Sequence, residues 1–198
     1  MIQVIAALVL MALSSSVPAA AGPLHDAARA GDVAAVGGLI DQGADMNTPG
    51  DNGEPPLILA ILSGQPAVVD LLIEKGADIN ARNEGGFTPL HAAAYVDDAD
   101  AAKQLLAKGA DVNDQQNKAG VTPLSVAAEE GRPTVAHLFI ERGAALEATE
   151  QNGYTPLTRA LWRGHGDVVA MLQQAGAKCQ SVEILEEPAY SECVAGQP

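Results

Sequence analysis

The sequence predicts an all-α solenoid of about five helix–turn–helix repeats joined by short hairpin loops. Two ladders point to it. Leu24, Leu57, Leu90, Leu124 and Leu157 each follow a proline, and Gly43, Gly76, Gly109, Gly143 and Gly176 each precede an alanine. Both ladders step by 33 residues, with one step of 34 between the third and fourth repeats. Two independent markers that share a period and an insertion define a repeat. The third observation is the stretch Gly86 to Asn113, GFTPLHAAAYVDDADAAKQLLAKGADVN, which shows what one repeat contains. Thr88 precedes Pro89, whose fixed φ and missing N–H suit a first helical position. Ala92, Ala93 and Ala94 are small enough for another helix to approach closely. Beyond Asp97, the residues Ala102, Leu105 and Leu106 form the apolar stripe of a second short helix. Gly109 can take positive φ and end it.

Through TPLH-x-AA and the closing GAD-x-N, the sequence resembles the ankyrin-repeat family. The resemblance covers roughly Gly22 to Gln180 and bears on fold far more than on function, since such arrays bind many unrelated partners. Repeats are expected near 22–50, 51–82, 83–116, 117–149 and 150–180, with 181–198 as a capping tail. In the first, Val36, Leu39 and Ile40 share a face of the second helix, which Gly37 and Gly38 weaken. The second has Pro55 for the threonine, losing a hydroxyl cap, and Ile58 for the histidine; Pro66 starts its second helix, with Val69, Leu72 and Ile73 inward. The third has Asp97 where a mid-repeat glycine is usual. In the fourth, Ala136, Phe139 and Ile140 face inward, and the extra residue lies in the hairpin between Asn113 and Gly120. In the fifth, Val169 and Leu172 are the expected core. Gln173 takes the place of Ile or Leu, as suits a solvent-facing end. Ile184, Leu185 and Tyr190 are expected to cover that end.

Met1 to Ala21 carries no charged side chain. Ile2 to Leu13 is almost wholly apolar, and Ala19-Ala20-Ala21 fits a signal-peptidase site with Gly22 as the first mature residue. The apolar run is about 12 residues, short of the ~20 that span a bilayer. The leader lacks Lys or Arg before this run. The reading is an exported chain, periplasmic or secreted; the alternative is a buried amino-terminal segment. Cys179 and Cys193 are the only cysteines. In an exported chain an even number invites a disulfide, here closing a loop worth ~3 kcal/mol in the chain-entropy model. The alternative is two unrelated thiols. The net charge of −14 argues against nucleic acid and anionic lipid. It serves either a basic protein partner or solubility alone.

Four histidines raise the question of metal or catalysis. The resemblance implies that His25 and His91 hydrogen-bond the helix-start threonine and the neighbouring loop; only His91 has that threonine, because Gly22 stands at the matching place. His137 falls on the outer side of a second helix and His165 follows Gly164 at a turn. No HExxH or CxxC occurs, nor any nucleophile elbow or phosphate loop. The pairs Asp97-Asp98, Glu129-Glu130 and Glu186-Glu187 read as a solvated face. No cofactor, metal or catalytic set is expected.

Ankyrin arrays usually bind through a concave face of hairpin tips and first helices. Aligning the repeats puts Arg29, Leu62, Tyr95, Glu129 and Trp162 at one position near the end of the first helix, followed by Ser63, Val96, Glu130 and Arg163. Phe87 and Tyr154 fall just before TPL, where they serve either a partner or the seam between repeats. The expected partner-binding residues are thus Leu62, Phe87, Tyr95, Glu129, Glu130, Tyr154, Trp162 and Arg163. Aromatics anchor interfaces well because they bury large area at small entropy cost. The resulting reading is a monomeric, non-catalytic, exported protein-binding module. Its use is either as an immunity-type inhibitor of a toxin or as an accessory protein of a periplasmic oxidative-stress enzyme. An enzyme or metal protein lacks its convergent side chains here, and the leader speaks against an effector delivered into a host cell.

Overall fold

The computed structural model describes residues 22–186 and 188–196. The leader and its expected cleavage after Ala21 lie outside them. The described residues form two compact bodies, which divide between Ala110 and Asp111. The first holds α1 (Pro23–Ala30), α2 (Val33–Asp41), α3 (Pro56–Leu62), α4 (Pro66–Lys75), α5 (Pro89–Val96) and α6 (Ala99–Ala107). The second holds α7 (Pro123–Glu129), α8 (Pro133–Glu141), α9 (Pro156–Arg163), α10 (Gly166–Gln174), α11 (Val182–Leu185) and α12 (Ala189–Ala195). Among the described residues there is no strand, and no helix is long and apolar enough to cross a membrane.

Each repeat's first helix starts on the proline that the sequence singles out. Thr122 Oγ1 accepts from Ser125 N at 3.0 Å and Thr155 Oγ1 from Thr158 N at 3.3 Å. In α5, Thr88 N donates to His91 Nδ1 at 3.3 Å and the Thr88 hydroxyl bonds the same nitrogen at 2.9 Å. Pro55 ahead of α3 makes no such cap, as its missing hydroxyl requires. Where the turn after other first helices holds Gly31, Gly64, Gly131 or Gly164 at positive φ, α5 ends on Asp97 with a left-handed φ of 61°.

The closing motif has a direct hydrogen-bonding role. Asp45, Asp78 and Asp111 each accept the N–H two residues on, at 2.9 Å, folding the chain into the hairpin. The asparagine then reaches the next repeat: Asn47 Oδ1 accepts from Asp78 N at 2.8 Å, and Asn113 Oδ1 from Ala145 N at 2.7 Å. Glu147 takes over this duty in the fourth repeat, accepting from Lys178 N at 2.8 Å.

Within the first body α1, α3 and α5 stack in order, and α2, α4 and α6 line up behind them. In the second body α7 packs on α9 and α8 on α10, with α12 against α9. Leu57, Leu90, Leu124 and Leu157 are at most 1% exposed. In α2 only Val36 is fully buried, and Leu39 and Ile40 are half-buried, because a terminal repeat has one neighbour.

Two expectations for the last repeat need correction. The inward residues of α10 are Val168 and Leu172, while Val169 is half-buried. Gln173 does not face solvent: it is 8% exposed, and its Nε2 donates to the Cys193 carbonyl at 2.9 Å. The tail covers that end. Leu185 is buried, and Ile184 and Tyr190 are half-buried.

Leu90→Ala is expected to destabilise the chain by ~2–5 kcal/mol, the range for emptying a packed leucine site. A denaturation midpoint close to wild type would contradict that burial. Asp97→Gly should stabilise by up to about 1 kcal/mol, because glycine adopts positive φ without a Cβ clash; a lower unfolding midpoint would show that Asp97 contributes more than its backbone strain costs.

Candidate functional site

The sequence-predicted residues divide between the two bodies. In the first, Leu62 ends α3 and Tyr95 lies near the end of α5, both half-exposed. Phe87 differs from expectation. It is 2% exposed and meets the His91 ring edge-on, with ring centroids 5.4 Å apart. Glu54 and Val121, which precede the same helix-start motif, are also buried. This position therefore closes the seam between repeats.

In the second body Glu129 is also a correction. Rather than belonging to a solvated acidic face, it is buried at the centre of an ion network. Arg163 Nη2 and Nε reach Glu129 Oε1 at 2.6 and 2.8 Å. Arg159 Nη1 lies 3.2 Å from Glu129 Oε2, without hydrogen-bond alignment. Arg159 also grips Glu150 with two parallel bonds, Nε to Oε1 at 2.5 Å and Nη2 to Oε2 at 2.6 Å. Burial works against the Arg159 charge, yet the bonds to Glu150 and the charges of Glu150 and Glu129 outweigh it. Its pKa is held above the ordinary value. Paired in this way, buried ions are tolerated; one left alone is not.

Tyr154 and Trp162 sit beside this network, half-buried. Their rings meet edge-on at 4.4 Å, and Arg159 lies over the Tyr154 ring at 5.0 Å. The Trp162 indole N–H donates to the Leu185 carbonyl of the tail at 3.1 Å. Trp162 is therefore already engaged within the chain. The Arg163 side chain keeps 31% of its surface exposed. Glu130 is half-buried, and its Oε1 has no hydrogen-bond partner. Burial, then the charge of Glu129, raises its pKa; Arg132, Arg163 and His165 pull the other way.

The histidines are structural. His25 Nε2 donates to the Thr48 carbonyl at 2.8 Å, so His25 reaches the neighbouring loop even without a threonine ahead of it. His165 Nε2 donates to the Glu129 carbonyl at 3.0 Å, and its ring lies over Gly131. A Cβ at Gly131 would come within 2.4 Å of that ring, so the position needs glycine for space as well as for its φ of 62°. His137 is exposed, 3.6 Å from Glu141. Among the described residues no His, Cys, Asp and Glu gather into a set able to hold a metal ion.

Sequence reasoning missed Arg159 and Glu150. A signal was present: Arg159 occupies the position of Leu59, Ala92 and Val126, all buried. An arginine in a buried apolar column requires a buried counter-charge.

Stacked helix–turn–helix pairs, proline-started first helices and hairpins tied by Asp and Asn define a class: repeat proteins built of one recurring unit. A family profile described as ankyrin repeats (3 copies) matches residues 24–116 and 97–183. The chain belongs to the ankyrin-repeat family, whose arrays are protein–protein interaction modules. No curated protein matches it.

Arg159→Ala is expected to cost ~3–5 kcal/mol by leaving Glu129 and Glu150 buried without their partner. Lys75→Ala, which breaks the exposed pair with Asp41 at 3.1 Å, should change stability by under ~1 kcal/mol. Equal effects in chemical denaturation would contradict the contrast. Glu130→Gln tests the raised carboxyl. A raised folded pKa lends stability that is complete below the ordinary 4.5 and is lost as pH rises through the folded value. Glutamine mimics the protonated form, so the variant should be more stable than wild type at neutral pH, and that gain should vanish below pH 4.5. Parallel stability–pH curves for the two proteins would contradict the shift.

Proposed function

We propose that this ankyrin array is a non-catalytic, exported module that holds a protein partner on the half-exposed ends of first helices α3 and α5. The observation that carries this reading is the pair Leu62 and Tyr95. They occupy the same repeat position and are half-exposed. At the equivalent positions of the second body, Glu129 is buried against arginines, and Trp162, as half-exposed as Leu62 and Tyr95, bonds the tail. A large apolar side chain and an aromatic at one recurring surface position suit an interface anchor. The net charge of −14 favours a partner with a basic surface, through faster encounter more than tighter contact. A basic toxin restrained by an immunity-type inhibitor fits this chemistry. A basic periplasmic enzyme of oxidative-stress defence with an accessory protein fits it equally.

Export is part of the same reading. It rests on the apolar leader with its Ala19-Ala20-Ala21 site, and on the pairing of Cys179 with Cys193. Disulfides persist in oxidising compartments.

Affinity capture from a periplasmic extract followed by mass spectrometry identifies the partner. Tyr95→Ala and Leu62→Ala should then each weaken binding, Tyr95→Ala by ~2 kcal/mol or more if it is a hot spot, with unfolding midpoints near wild type. Undiminished affinity in both variants would sink the assigned face. Export predicts a mature chain whose amino-terminal sequencing starts at Gly22; intact Met1 in soluble cytoplasmic protein would refute it.

A further inference from the structure

The bond between Gln173 and the tail gives that residue a second role. Cys179 lies half-buried in the loop leaving the last repeat, while Cys193 in α12 is wholly buried. They are joined by a disulfide with Cα atoms 5.9 Å apart. The tail also packs through α12 on α9 and through Leu185. Helices α11 and α12 have 4 and 7 residues, too short to persist unaided. The one residue that α12 buries is the cysteine itself. Other anchors include buried Leu185, its carbonyl bond from Trp162, and the Cys193 carbonyl bond from Gln173. Ser181 to Pro198 carries acidic residues and no Lys or Arg, on a chain of net charge −14. Long-range charge therefore opposes docking.

We propose that the Cys179–Cys193 bridge is a redox latch, whose reduction by a dithiol releases the tail from the last repeat and uncovers Trp162. A thiolate of the dithiol attacks Sγ of Cys179, the less buried of the two cysteines. A new S–S bond forms there, the original one breaks, and its electron pair leaves on Sγ of Cys193. The second thiol of the reductant, after losing its proton, attacks its own sulfur in the mixed disulfide and expels Cys179 as a thiolate. Two electrons and two protons pass to the protein, which gains two thiols as the dithiol becomes a disulfide. Such exchange quickens when the leaving thiolate is stabilised. Gln173 Nε2 lies 3.9 Å from Cys193 Sγ and is placed to donate to it as negative charge develops. The Gln173 side chain also lies against Gly196, where a Cβ would come within 2.6 Å of its Oε1. The residue that departs from the repeat's apolar pattern thus faces both the leaving sulfur and the strap it holds. This inference concerns the chain alone and stands apart from what binds α3 and α5.

The test uses dithiothreitol on the full mature chain, with hydrogen exchange read by mass spectrometry and emission read from the single tryptophan. On reduction, α11 and α12 should lose protection to the level of the Cys179→Ser/Cys193→Ser double variant. Trp162 emission should move to longer wavelength, α7 to α10 should stay protected, and reoxidation should reverse the change. A tail that remains protected after reduction would overturn the latch, as would protection lost from α7 to α10 at the same time. Gln173→Leu restores the residue type common at this position and should be reduced about tenfold more slowly, the loss of one hydrogen bond to a charged group. Equal reduction rates would overturn the role assigned to Gln173.

Discussion

The close approach of successive first helices is the constraint on which both bodies depend. It is set by one column of the repeat: Ala27, Ala60, Ala93, Ala127 and Ala160, of which the last four are wholly buried. Alanine lets α1, α3 and α5 approach closely in the first body, and α7 and α9 in the second. The leucine three residues earlier in each repeat then fills the space behind. A repeat of two short helices cannot bury its own apolar face, so each stack is stable only as a series. The hairpins follow from this spacing. Asn47 and Asn113 bond the neighbouring hairpin because the helices beneath hold the two loops one repeat apart.

The last repeat departs most from the common pattern, and its departures are connected. Arg159 replaces a buried apolar residue and joins Glu129 to Glu150. Gln173 replaces Ile or Leu and bonds the tail. Gln180 accepts from Thr155 N at 3.1 Å and donates to the Gly153 carbonyl at 2.7 Å, closing the hairpin of this repeat. An internal repeat receives apolar surface from both sides. A terminal one finds polar neighbours, and its substitutions supply hydrogen bonds and ion pairs where packing is missing. A tail placed there by a covalent bridge, not by a large apolar face, is correspondingly open to release.

This architecture divides the recurring surface position among different duties. Leu62 and Tyr95 remain half-exposed in the first body. In the second, Glu129 is withdrawn into an ion network and Trp162 into contact with the tail. Equal spacing in sequence therefore does not mean equal exposure. In the second body α9 presents the partners of Glu129, Arg159 and Arg163.

The sequence by itself determined the repeat, its period and its helix starts, because each is a local consequence of residue type. Proline sets φ, threonine offers a cap, and glycine tolerates a left-handed turn. The buried leucine column was legible for the same reason, whereas the capping role of His91 came from the family resemblance. An even number of cysteines in a chain read as exported pointed to their pairing. Only the tertiary structure decided which charges are buried. Glu129 and Glu130 are neighbours in sequence, yet one is enclosed by arginines from the following repeat and the other keeps an unpartnered oxygen. Likewise the sequence leaves Phe87 between a partner surface and the seam between repeats, and the seam that encloses it forms only when repeats stack. The difference is physical: backbone conformation is set within a few residues, whereas burial and ion pairing depend on atoms about thirty residues away that only the folded stack brings together.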